Sequence, residues 1–138
     1  MTIQSIEQQR AAQAMTAVQP HCSEKIQSEY LATSKAFAAN VQQNGLGQTL
    51  AMYQASSTQG PKWFYQDLTN WFAKKFAKQE VTKPEGKNSK DLLEYLVNTD
   101  QQDYLRIQNE LLAYARWLKK FSVAMLSKEE PSESKKTN

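Results

Sequence analysis

Cysteine and histidine are almost missing from this chain of 138 residues, which has one of each, the neighbours His21 and Cys22. A single Cys excludes an internal disulfide and fits a reducing compartment. Adjacent residues give poor geometry for a Cys–His nucleophile and base. One Cys and one His also exclude a zinc site built from those ligand types. Gly and Pro are scarce, at four each, which favours long helices over many turns. No apolar run approaches the roughly 20 residues that span a bilayer. The start Met1-Thr2-Ile3-Gln4-Ser5 is polar and lacks the apolar core of a secretory signal. A soluble, cytoplasmic protein is expected. Gly45-Leu46-Gly47 lacks the third Gly, the preceding strand and the Gly-Lys-Ser/Thr of phosphate loops. The carboxylates are scattered among Lys and Gln, and helix capping accounts for the closest pair, Asp100 and Asp103. The chain therefore reads as a non-enzyme without a cofactor or a metal.

Apolar residues make up 40% of the sequence, with three Trp, six Tyr and five Phe, enough for the core of one domain. The net charge is +3, and its distribution says more than its size. Through residue 60, Arg10, Lys25 and Lys35 balance Glu7, Glu24 and Glu29. All the excess follows, in two clusters. Lys62, Lys74, Lys75 and Lys78 face only Asp67 over residues 62–78, and Arg106, Arg116, Lys119 and Lys120 face only Glu110 over 106–120. Such clusters are often solvated helix faces, and they are also what a modest phosphate-binding surface looks like.

The apolar spacing predicts an all-α bundle of about six helices over residues 1–127, followed by a disordered charged tail, 128–138. The first helix covers about 2–19, capped by Thr2 or Ser5 with capping-box spacing to Gln8, and ended by Pro20. The second covers about 24–43, capped by Ser23, and the third about 46–57. The fourth, about 61–79, places Phe64, Leu68, Trp71 and Phe72 on one face, with Pro61 in its first turn. Ser89 is expected to cap a short fifth helix, about 90–98, and Asp100 the sixth, about 101–127. The core is expected from the second, fourth and sixth helices, through Phe37, Val41, Phe64, Leu68, Phe72, Leu111, Leu118 and Phe121.

Asn44-Gly45 punctuates this pattern. Asn-Gly is a strong hairpin signal, but hairpins need alternating strands, and both flanks are instead rich in helix formers. The pair reads as the turn between the second and third helices, with Gly45 at positive φ. Asn44 and Gln48 are expected to supply structural hydrogen bonds there.

The string Asn44-Gly45-Leu46-Gly47-Gln48-Thr49-Leu50-Ala51 resembles the small all-helical subunit of the type III-B CRISPR effector, the Cmr complex. So does the ending Trp117-Leu118-Lys119-Lys120-Phe121, and the resemblance covers roughly residues 1–126. It implies an RNA-handling, non-catalytic subunit in antiviral defence, stacked in several copies beside the guide-RNA backbone and lining the path of target RNA. Its partners would be the backbone and large subunits of that complex and the guide RNA–target RNA complex.

Within that reading, Lys74, Lys78, Arg106, Arg116 and Lys120 are the first choices for phosphate contacts. Lys74 and Lys78 share a face that includes Trp63 and borders Trp71, so a ring there could stack a base. Arg116 and Lys120 are four apart, with Arg106 roughly in line and Lys119 to the side. Lys35 enters through its place in the second helix of the resemblance. The alternative is a helical protein–protein adaptor, with the aromatics as interface anchors or core and the lysines as solvation.

Overall fold

Three of the helix starts are set by a short side chain that captures a free backbone N–H group. The computed structural model describes residues 3–23, 27–76 and 91–126. Helix α1 (Ile6–Val18) opens at Ser5 with the full capping box: Ser5 Oγ accepts from the Gln8 N–H at 3.1 Å, and Gln8 Oε1 accepts from the Ser5 N–H at 2.8 Å. A 3-10 turn, Gln19–Ser23, carries Pro20. Helix α2 (Gln27–Gln54) contains Gly45, and helix α3 (Gln59–Phe76) has Pro61 in its first turn. Helix α4 (Leu92–Asn98) is capped by Asp91, whose carboxylate accepts from the Glu94 N–H and the Tyr65 hydroxyl. That corrects the cap expected from Ser89, which lies outside the described residues. Helix α5 (Gln101–Met125) is capped by Asp100, which accepts from the Asp103 N–H at 2.8 Å. The junction where Ser23 is expected to cap the second helix lies outside the described residues, as does the tail 128–138.

The described residues form five helices and no strand, an all-α fold. The count differs from six because the second and third predicted helices form one element broken at Gly45. Gly45 has φ 84° and ψ 159°. The positive φ is as expected, but ψ lies far from the left-handed helical value near +47°. The residue is extended rather than left-handed helical, and helix resumes at once. The hydrogen bond at the break is not made by Asn44 or Gln48, whose side chains face solvent. It runs instead from the Gly47 N–H to Tyr104 Oη, at 2.8 Å, and ties α2 to α5.

Phe37, Val41, Phe64, Leu68, Phe72, Leu111 and Leu118 are buried, as expected. Phe121 is only half-buried, because it stacks on Trp117 at the edge of the core, with centroids 5.8 Å apart. Helices α1 and α4 add Ala14, Val18, Leu92, Tyr95 and Leu96. An aromatic cluster joins α2 to α3, with the Phe64 ring 5.2 Å from Phe37, 5.5 Å from Tyr30 and 6.1 Å from Tyr53. Gly60 lets the two helices close further: a Cβ there would lie 2.5 Å from the Glu29 backbone carbon. Glu29 Oε1 accepts from the Gly60 N–H at 3.2 Å, which places a carboxylate at the start of α3.

Candidate nucleic-acid interface

Helices α2 and α5 lie side by side and antiparallel. Gly47 meets Tyr104 near one end, and Lys35 and Lys119 line the same groove near the other. The groove between them has a volume of about 710 Å³. Phe37, Ala38, Val41, Leu112 and Ala115 give it apolar walls, and Gln42, Gly45 and Gln108 line it toward the break. Its charged lining residues are Lys35, Arg116 and Lys119, with no carboxylate among them. Each of these cations is exposed, and none has an acidic partner among the described residues. Three uncompensated cations on a concave surface attract a polyanion.

The structure thus regroups the predicted contacts. Lys35 joins Arg116, from a different helix. Lys119 joins them, although the sequence reading sets it to the side. Arg106 does not share this groove. It lines a second hollow of about 330 Å³ with Arg10, Lys75, Phe76, Asn109 and Glu110. There it pairs with Asp103 at 3.2 Å and lies over the Phe76 ring, 5.1 Å from its centroid. Lys120 is exposed on α5 and lines neither hollow. Lys74 is exposed on α3, where its Nζ donates to Gln13 Oε1 at 3.1 Å. Lys78 lies outside the described residues. The i, i+3 spacing of Arg116 and Lys119 is visible in sequence, but the approach of Lys35 depends on how α2 packs against α5.

The two indoles weighed as base-stacking groups, Trp71 and Trp63, are committed elsewhere, and so is the third indole, Trp117. Trp71 is buried, stacks on Tyr114 at 4.9 Å and donates to Glu110 Oε2 at 3.0 Å. Trp63 is half-buried, and the His21 ring covers it at 5.0 Å. Trp117 is half-buried and donates to Glu7 Oε1 at 2.8 Å.

Two polar networks hold the scaffold behind the groove. Arg10 makes a two-pronged ion pair with Glu110, through Nε and Nη2, each at 2.8 Å, and reaches Glu7 at 3.0 Å. Burial pushes the Glu110 carboxyl up, but the hydrogen bonds from Arg10 and Trp71 outweigh it and hold the group below the usual carboxylate range. The chain Trp117–Glu7–Arg10–Glu110–Trp71 fastens α1 to α5 and α3. In the second network the buried Asp67 accepts from Tyr30 Oη at 2.6 Å and from His21 Nε2 at 3.0 Å. Burial, and then the Asp67 charge, push the Tyr30 hydroxyl well up. The neighbours His21 and Cys22 face apart: Cys22 Sγ lies 3.7 Å from the Met125 carbonyl oxygen. Among the described residues, no three His, Cys, Asp or Glu side chains cluster as metal ligands do, and no helix is long and apolar enough to cross a membrane.

The profile of the family described as CRISPR-associated protein (Cas_Cmr5) matches residues 6–125. The fold is similar to the crystal structure of a CRISPR-associated Cmr5 family protein from Thermus thermophilus. That comparison has a TM-score of 0.74 and 24% identity, and covers 91% of this chain and 100% of the other. No curated protein matches the chain.

Proposed function

From the premise that the chain belongs to the CRISPR-associated Cmr5 family, and so is a subunit of the type III-B Cmr complex that associates with other Cmr proteins, we propose that it handles RNA without catalysing a reaction. In this reading the α2/α5 groove holds RNA by its phosphates. The observation that carries it is the convergence of Lys35, Arg116 and Lys119 on one groove that has no lining carboxylate. Phosphate contacts position a strand without reading its sequence. A lone subunit with three such contacts binds weakly, and several copies stacked beside the guide RNA sum their contacts through effective concentration. Lys74, Lys120 and Arg106, which do not line the groove, are secondary contacts.

The test is reconstitution of the Cmr complex with Lys35→Glu/Arg116→Glu/Lys119→Glu subunit. Assembly should be intact, and binding of unrelated target RNAs should weaken about equally. Each lost contact should flatten the log–log salt dependence by about 0.7 on a single strand. Unchanged binding and slope in an assembled complex would refute the groove as an RNA site. A parallel Lys74→Glu/Lys78→Glu subunit reports on the α3 cluster.

A further inference from the structure

Phosphate contacts alone do not need the shape of the α2/α5 groove. A strand held only by its phosphates lies as well on a flat cationic face. A volume of about 710 Å³ instead falls within the roughly 300–1,000 Å³ of small-molecule sites, which pair apolar walls with a few polar groups. The groove also has two unlike ends. Lys35, Arg116 and Lys119 charge one of them. Gln42 and Gln108 line the other. Gln42 is seven residues along α2 from Lys35, and Gln108 is eight along α5 from Arg116, which is roughly 10–12 Å on each helix. Between the ends the lining is uncharged. Ala38 is exposed, Leu112 is half-buried, and Val41 and Ala115 are buried at the floor. One alanine from each helix keeps the walls short, so the slot stays open where a longer side chain would fill it.

We propose that this groove is a site for one unpaired nucleotide of single-stranded RNA. The phosphate lies on Lys35, Arg116 and Lys119, the unstacked base between Ala38 and Leu112, and the base edge against Gln42 and Gln108. The proposal rests on the RNA reading given above and narrows its ligand. A nucleotide has the same order of parts as the groove: an anion, then a flat ring with apolar faces and a hydrogen-bonding edge, over a comparable span. Paired RNA keeps its bases stacked and offers chiefly phosphates and sugars, whereas single strands can splay a base into a slot. Each Gln amide carries both a donor and an acceptor and can turn to suit any base edge, so occupancy does not depend on sequence.

The experiment titrates isotopically labelled full chain at low salt with a short oligouridylate, and separately with its abasic ribose-phosphate analogue of equal charge. NMR shifts give the affinities. The oligouridylate should shift residues 35–45 and 108–119 and show NOEs from uracil protons to the Ala38 and Leu112 methyls. The abasic strand should bind about fivefold more weakly, the lower end of what base stacking gives, because the walls are aliphatic. Its shifts should be confined to the Lys35 and Arg116 end. Ala38→Leu narrows the slot and leaves every cation in place, and exposure of Ala38 lets the variant fold. It should bring the oligouridylate down to the abasic affinity and leave the abasic affinity unchanged. Equal affinity of the two strands, with groove shifts in both, keeps the phosphate reading and overturns the nucleotide site. An Ala38→Leu chain with full oligouridylate affinity overturns it as well. Shifts outside the groove, or none, overturn both readings. Tighter binding of an oligoglutamate than of the oligouridylate overturns the proposal in favour of an acidic peptide.

Discussion

Replacing Gly45 with Ala isolates backbone strain from crowding. A Cβ at Gly45 would meet no heavy atom within 4 Å, so sterics with neighbours contribute nothing. The whole cost comes from φ 84°, ψ 159°, an extended positive-φ region open essentially to Gly alone. Holding an L-residue there costs about 1–3 kcal/mol. The stiffer unfolded chain of the Ala variant offsets this by about 0.4–1 kcal/mol. The net loss should be about 1.3 kcal/mol. With an unfolding entropy of about 2.1 cal/mol/K per residue, a chain of this length should lose ~4–5 °C in Tm. Helical circular dichroism of the isolated subunit during heating measures it. Gly45→Asn should not recover stability, because Asn tolerates the left-handed helical region but not this ψ. An Ala variant melting within about 2 °C of the parent would refute the strain account.

Gly60→Ala tests the opposite case, crowding in a helical glycine. A Cβ within 2.7 Å of the Glu29 backbone must push α3 from α2 and should cost about 3 kcal/mol by urea unfolding, with undiminished stability refuting the close approach. Phe72→Ala should cost about 3–5 kcal/mol by the same assay, since the ring is 4% exposed. Glu110→Gln should cost about 2 kcal/mol at neutral pH, by loss of charge-assisted bonds from Arg10 and Trp71. The Glu110 carboxyl is depressed in the folded state, so its stabilisation is present above its unfolded value of 4.5 and lost as pH falls through the folded value. The difference between parent and Gln variant should therefore shrink on acidification, and a constant difference down to acid pH would contradict the network.

The helices were legible because their signals are local. Ser5 with Gln8, Asp100 with Asp103, and the row Phe64, Leu68, Trp71, Phe72 each lie within a few turns of chain. Gly45 was legible as a positive-φ residue for the same reason. Its ψ was not, because the seating of α2 against Tyr104 belongs to tertiary packing. Asp91 displaced Ser89 as a cap because Tyr65, on another helix, also holds that carboxylate. The groove shows the same limit. Arg116 and Lys119 announce a shared side of α5, whereas Lys35 is 81 positions away from Arg116 and joins it only through the packing of α2 on α5. In the sequence Arg10 enters only the charge balance of the first 60 residues, and its partner Glu110 is a hundred positions along. Pairs of this kind leave no periodic trace.

The Trp117–Glu7–Arg10–Glu110–Trp71 chain gives the molecule an intrinsic optical gauge. Trp117 donates to Glu7 from the first turn of α1, Trp71 donates to the carboxylate that holds Arg10, and Trp63 lies under His21. All three indoles thus report on the first 21 residues, and none lines the α2/α5 groove. Tryptophan emission should follow the seating of that segment, while filling of the groove should leave the spectrum nearly silent. Ligand titrations followed by this light alone would miss an occupied groove, and a label near Lys35 or Arg116 would be needed to see one.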